Sequence, residues 1–271
     1  MSIKITATST CDLPAELLEQ YQITMAPLYV SFGGNTYKDG LDASPEDIFR
    51  HVEDGGQLPT TAAVNIADYQ KLFAELSPKY DSVLHITIGS EFSCCYQNAL
   101  VAAEEFSNVY VVDSRNLTVG QGILAIEAAE AARRGDSVED ILAMLEQMAG
   151  QVDTTFVVDK LDYLAKGGRC SSVVALGANL LKLKPCIVLA DGKMTVGKKY
   201  RGAFEKVLSD YGAPRKFLRP YAIWCGSLVS ARCSLRWLGA PSPVIAVPTP
   251  WALSSSESDK SRPNMDFSKT A

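Results

Sequence analysis

Along the first 150 residues, short unbroken apolar runs alternate with runs whose apolar positions recur at three- and four-residue spacing, the pattern of strands alternating with helices. Lys4–Thr8 predicts a short strand that closes in the polar turn Ser9-Thr10-Cys11-Asp12. Leu13–Glu19 predicts a helix, with Pro14 where a missing N–H costs little. Ile23–Phe32 predicts one extended run, closed by Gly33-Gly34. Ser44-Pro45-Glu46-Asp47 combines a cap, an early proline and first-turn acids, and so opens a helix. Tyr69, Leu72, Phe73 and Leu76 place another over Ile66–Leu76. Ser82–Ile88 is a compact apolar strand leading through Gly89–Ser93 into a helix over Tyr96–Glu105. Val109–Val112 predicts a strand, followed by Asp113-Ser114 and a long helix from Gly120 to Arg133 that Gly135 ends. Ser137–Gly150 is a further amphipathic helix.

Strands that alternate with helices of ten or more residues imply a parallel sheet covered on both faces. In such sheets ligands sit beyond the carboxyl ends of the strands. Three polar turns fall there, at Ser9, Gly89–Ser93 and Asp113-Ser114. After residue 150 the texture changes. Thr154–Val158 is β-rich, Lys160–Leu164 leads to Lys166-Gly167-Gly168-Arg169, and a helix is expected around Val173–Leu181. Cys186–Ala190, the turn Asp191-Gly192 and Met194–Lys198 predict a hairpin, and Phe204–Tyr211 a helix. The expected fold class is α/β in two domains: a parallel α/β/α sheet domain over 1–150 and a smaller, incomplete mixed α/β domain over 151–211.

Composition changes that picture at the end of the chain. Residues 212–271 hold eight Lys/Arg and three acids, a net of +5, beside −10 for residues 1–211. All three tryptophans (Trp224, Trp237 and Trp251) lie in that last stretch, which is therefore set apart as an atypical tail. A net charge of −5 gives a nucleic-acid role no electrostatic support. No apolar run approaches the length a membrane span needs, and no basic leader precedes Ile3, so a cytoplasmic protein without stable membrane insertion is expected. Seven cysteines without regular spacing argue against a disulfide framework. With no C-x-x-C pair and only His51 and His85, neither a metal site nor a cofactor is expected.

Several blocks carry more specific information. Ser9-Thr10-Cys11-Asp12-Leu13-Pro14 opens the chain, and Pro59-Thr60-Thr61 precedes a helix. Ser90-Glu91-Phe92-Ser93-Cys94-Cys95-Tyr96-Gln97-Asn98-Ala99 follows a strand, and Asp113-Ser114 precedes Gly120-Gln121-Gly122. Leu161-x-Tyr-Leu-x-Lys-Gly-Gly-Arg169 is the most distinctive, with Lys184-Pro185, Asp191-Gly192 and Arg201 after it. In this order, over roughly residues 3–211, the blocks resemble the DegV family. The resemblance implies a two-domain α/β protein with one long-chain fatty acid buried between the domains. It also implies a separate fatty-acid kinase that phosphorylates the bound carboxyl group, so that this chain is a lipid-presenting subunit and not an enzyme. On the matching positions it implies Thr61 and Ser93 as carboxylate contacts, Arg169 as a neighbouring polar contributor, and Arg201 as a docking residue for the kinase.

The residue types suit that chemistry. A carboxylate entering an apolar crevice must recover the hydrogen bonds it had to water, and hydroxyls at helix starts can supply them. Each residue also has a plainer reading: Ser93 and Thr61 as helix N-caps, Gly167-Gly168 as a turn, Arg169 as a surface ion pair, Arg201 as solvated. The vicinal pair Cys94-Cys95 is read as small packing residues, without a catalytic role. Two departures from the family stand out. Ala62-Ala63-Val64 replaces the usual Ser-Gln-Pro, and the tail lacks the histidine of the family's closing segment, as a shifted reading frame would produce. The rival classes are a stand-alone hydrolase or phosphotransferase and a lipid sensor without a kinase partner. The first lacks G-x-S-x-G, a histidine near any nucleophile candidate and a Walker lysine loop.

Overall fold

The computed structural model describes residues 2–157, 164, 167–170 and 183–212, together with short strands at 234–235, 240–241 and 244–248. In chain order the first elements are β1 (Ile3–Thr8), α1 (Ala15–Tyr21), β2 (Thr24–Ala26), β3 (Tyr29–Phe32), β4 (Asn35–Lys38), α2 (Pro45–Glu53), β5 (Thr60–Ala62) and α3 (Ile66–Leu76). They are followed by β6 (Ser82–Thr87), α4 (Cys95–Ala103), β7 (Val109–Asp113), α5 (Thr118–Arg134), α6 (Val138–Ala149) and β8 (Val152–Val157). Then come β9 (Leu183–Ala190), β10 (Lys193–Arg201), α7 (Phe204–Gly212), β11 (Ser234–Leu235), β12 (Ala240–Pro241) and β13 (Val244–Pro248). The helix expected around Val173–Leu181 lies outside the described residues, as does most of the Leu161–Lys166 block.

Four parallel strands in the order β2-β1-β6-β7 form the main sheet, with Ile5 opposite Leu84 and Leu84 opposite Tyr110. Every residue of β6 is buried, as a strand covered on both faces requires. The α5 helix is buried on nearly all sides, and two of its glycines explain how closely it approaches its neighbours. A Cβ on Gly122 would stand 2.7 Å from the Cys11 carbonyl oxygen, and one on Gly120 would stand 2.2 Å from Thr154 Oγ1. The block Gly120-Gln121-Gly122 is therefore a packing device. It lets the turn after β1 and the start of the second sheet press onto one helix.

The extended run expected over Ile23–Phe32 is two strands. Pro27 cannot donate to a ladder, and the chain changes partners there. Thr24–Ala26 pairs in parallel with β1, whereas Tyr29–Phe32 leaves the main sheet and pairs antiparallel with β4 and β5. Gly33 and Gly34, at φ 59° and 79°, make the tight turn between β3 and β4. The α2 start holds the expected cap. Ser44 Oγ accepts the Asp47 N–H at 3.3 Å, and Asp47 Oδ2 accepts the Ser44 N–H at 2.9 Å, a reciprocal capping box. Ser44→Ala is expected to cost about 1 kcal/mol, read as a lower midpoint in urea with an unchanged slope.

The second sheet has the order β10-β9-β8-β13 and is antiparallel throughout. Its outer strand, Val244–Pro248, comes from the stretch that composition sets apart, and it covers the edge of β8 that would otherwise be open. The predicted hairpin is present, with Asp191 and Gly192 both at positive φ in a two-residue turn.

Candidate functional site at the carboxyl edge of the parallel sheet

The loops after β1, β6 and β7 meet at one edge and are tied together by buried polar groups. Gln121 of α5 is fully buried and bridges two of them. Its Nε2 donates to Thr8 Oγ1 at 2.8 Å and to the Ile86 carbonyl at 3.0 Å, while Thr10 Oγ1 donates to its Oε1 at 2.9 Å. The N–H of Ile88 donates to Thr8 Oγ1, and the N–H of Gly89 donates to the Asn116 carbonyl at 2.8 Å. Ser90 N–H and Arg115 N–H both donate to Asp113 Oδ1. Asp113 thus shapes two loops as an acceptor. Ser9 acts similarly, its hydroxyl accepting the Leu28 N–H and donating to the buried Asp39 carboxylate at 2.7 Å.

Ser93 stands in this frame immediately before α4. The capping position itself is Cys94, whose side chain makes no cap bond. Ser93 does the work from one residue further back: its half-buried hydroxyl accepts the Cys95 N–H at 3.3 Å and donates to Cys95 Sγ at 3.2 Å. A hydroxyl so placed faces the positive end of a helix. Burial pushes the Cys95 thiol up from its ordinary value, so it stays protonated and unreactive near neutral pH. Neither histidine serves Ser93 as a base. His85 is bonded to Thr6 Oγ1, and His51 packs against the Phe32 ring. A serine with no base partner among the described residues suits hydrogen-bond donation, not nucleophilic attack.

Thr61 is not at a helix start. It lies in β5, half-buried and opposite Val30, because the β-branched pair Thr60-Thr61 extends the small antiparallel sheet. The cap of α3 is Asn65, which accepts the Asp68 N–H at 2.9 Å. The chain between Thr61 and α3 is nevertheless held against α4, since Asn98 Nδ2 donates to the Val64 carbonyl at 2.8 Å. Thr61 and Ser93 therefore sit on two segments that one side chain joins. Arg169 lies on a separate, exposed turn, where its Nη1 donates to the Gly167 carbonyl at 2.7 Å and Gly168 takes φ 71°. Arg201 is exposed at the end of β10, opposite Leu183.

The second sheet reaches this edge at two points. Thr154 Oγ1 of β8 donates to the buried Asn116 Oδ1 at 2.7 Å. The β9–β10 turn abuts the Ser90–Gln97 segment, with Gly192 against Glu91 and Arg115, and Lys193 Nζ 3.6 Å from Glu91 Oε2. That exposed ion pair contributes little energy, but the contact places the hairpin beside the turn that carries Ser93. Sequence reading did not single out Asn116 or Thr154. The one available signal was Gly120, whose missing side chain makes room for both.

The model of the DegV family matches residues 2–210. The chain belongs to the DegV family. The match ends two residues before the basic, tryptophan-containing tail begins. The chain is 37% identical over 211 residues to a DegV domain-containing protein of Deinococcus radiodurans, covering 78% of this chain and 75% of that protein. It is 32% identical over 210 residues to a protein of Thermotoga maritima named as a fatty acid-binding protein, covering 74% of this chain and 72% of that relative. A DegV family protein from Thermus thermophilus, described by its fatty acid binding, shares the fold with a TM-score of 0.76 at 26% identity, over 92% of this chain and 100% of that one. The two-domain α/β architecture is thus that of DegV proteins, and relatives in the family are fatty-acid-binding. Among the described residues no helix is long and apolar enough to cross a membrane.

Proposed function

We propose that this chain binds one long-chain fatty acid at the carboxyl edge of the parallel sheet and presents its carboxylate to a separate fatty-acid kinase. The observation that carries the reading is the Ser93 hydroxyl, held at the start of α4 by Cys95 and, among the described residues, without a base that would make it a nucleophile. Thr61 is the second proposed contact, on the segment that Asn98 ties to α4. Arg169 is the proposed third, reaching the head group from the Gly167–Arg169 turn, and Arg201 the proposed docking residue for the kinase. In this scheme the chain itself catalyses nothing. The kinase supplies the phosphoryl transfer, and the carrier orients the carboxylate while the acyl chain is buried.

Native mass spectrometry of the full chain expressed in bacteria tests the binding half. One copurifying lipid per chain, with the mass of a long-chain fatty acid, is the expected result. A folded chain that carries none and takes up no added oleate would sink it. The presentation half is tested by adding a fatty-acid kinase and ATP to the oleate-loaded protein. Conversion of the carboxylate to an acyl phosphate is expected, and a loaded chain that stays unphosphorylated would point to a sensor instead.

A further inference from the structure

The buried start of α5 lacks what helix starts ordinarily have. The first N–H groups of any helix have no partner within it and are usually met by a side-chain cap, an acid in the first turn or water. Here the capping residue is Leu117, which offers no side-chain acceptor, and the first turn holds no acid. Leu117 and Thr118 are each only 3% exposed, and Val119 is fully buried. Independently, the Thr118 hydroxyl is buried and finds no hydrogen-bond partner among the described residues. Thr118 also holds φ 50°, a conformation a β-branched residue rarely adopts. An orphan hydroxyl and an uncapped, acid-free helix start coincide at one point on the sheet edge that carries Ser93. The two loops are joined there by the Gly89 N–H donating to the Asn116 carbonyl.

We infer that the start of α5, with Thr118 Oγ1, is an oxyanion-binding position for the carboxylate of the bound fatty acid. The inference rests on the lipid-carrier reading and deepens it by adding a contact on a third element. Its chemistry is that of any oxyanion at a helix N-terminus: partial positive charge, N–H donors and one hydroxyl donor. In the absence of ligand the buried hydroxyl is a liability, because an unsatisfied polar group costs free energy that a methyl group of the same shape does not. Ligand-free stability and ligand affinity should therefore move in opposite directions when the hydroxyl is removed.

The test compares the full-length wild type with Thr118→Val and Thr118→Ser. Oleate affinity is read by displacement of a fluorescent fatty acid, and the unfolding midpoint is read without ligand. Valine is expected to weaken oleate binding by about tenfold while the ligand-free midpoint holds or rises; serine is expected to restore affinity to within about twofold. Unchanged oleate affinity in Thr118→Val overturns the inference. So does a parallel fall of affinity and stability that serine fails to rescue. Hydrogen exchange of the amides of Thr118 and Val119 in the wild type supplies a readout that needs no variant, since the Gly120 N–H already donates to the Leu117 carbonyl. Added oleate should slow it, and no change overturns the assignment. If millimolar inorganic phosphate raises the midpoint of the wild type but not of the valine variant, the position takes free phosphate and the carboxylate assignment falls. A wild type that takes up no oleate sinks the lipid-carrier reading together with this one. Oleate binding that weakens in Ser93→Ala yet ignores Thr118→Val sinks this inference alone.

Discussion

Replacing Ser93 by alanine is expected to lower the affinity for oleate by about ten- to a hundredfold, since a hydrogen bond to a charged group contributes about 1.5–3 kcal/mol. The hydroxyl is half-buried and placed before α4, so a carboxylate bound there would exchange water for a donor aligned with the helix dipole. The fold should survive the change. Ser93 also accepts the Cys95 N–H, and losing that cap-like bond is expected to cost about 1 kcal/mol. A modest fall in the unfolding midpoint should therefore accompany a large fall in affinity. Ser93→Thr retains the hydroxyl and should retain most of the binding. Full oleate affinity in the alanine variant would remove Ser93 from the site. Hydrolysis of simple esters by the wild type, abolished in the same variant, would replace the carrier reading with a hydrolase.

The periodic elements were legible because their signals are local. Tyr69, Leu72, Phe73 and Leu76 bound α3 at the residues the spacing predicts, and the Asp191-Gly192 turn produced its hairpin. What escaped was set by partners distant in the chain. Thr60–Ala62 is too short to announce a strand, and it is one only because β3 turns away from the main sheet at Pro27 to meet it. The plainer reading of Thr61 as a helix cap fails for that reason, and the cap of α3 is Asn65. Ser93 was legible through the block around it, but its bond to Cys95, which fixes the hydroxyl, required the α4 geometry. The Gly-Gln-Gly block resembled a family signature without an evident purpose. In three dimensions Gln121 knots the turns after β1 and β6, and the glycines on either side let neighbours close on α5. The histidines were legible only as a shortage. Their count argues against zinc, but it says nothing about what a fully buried imidazole does to the stability of the fold.

His85 should make the protein sensitive to mild acid. It sits on β6 with no exposed surface, its ring edge-on to Tyr69 at 4.9 Å and to Phe73 at 5.7 Å. Thr6 Oγ1 donates to the Leu84 carbonyl, so it accepts from His85 Nδ1–H at 2.8 Å, and Nε2 is left unprotonated with no partner among the described residues. The groups facing it are Thr6, Tyr69 and Phe73, and none can compensate a positive charge. Burial pushes its pKa down from 6.5 to about 3. The unfolded chain takes up a proton below about pH 6.5 that the folded chain refuses until about pH 3. This contribution to stability is complete above pH 6.5 and is lost as pH falls, at about 1.4 kcal/mol per unit. Between pH 6.5 and 4.5 the loss is about 2 kcal/mol from this one side chain, because the unfolded imidazole is already half protonated at pH 6.5. Urea unfolding of the wild type and of His85→Leu at the two pH values should separate it from the carboxylates, which titrate in both proteins. The variant is expected to lose about 2 kcal/mol less over that interval, whatever its stability at neutral pH. Equal acid sensitivity in the two proteins would place the imidazole in contact with water or an acceptor, and not in the apolar layer between β6 and α3.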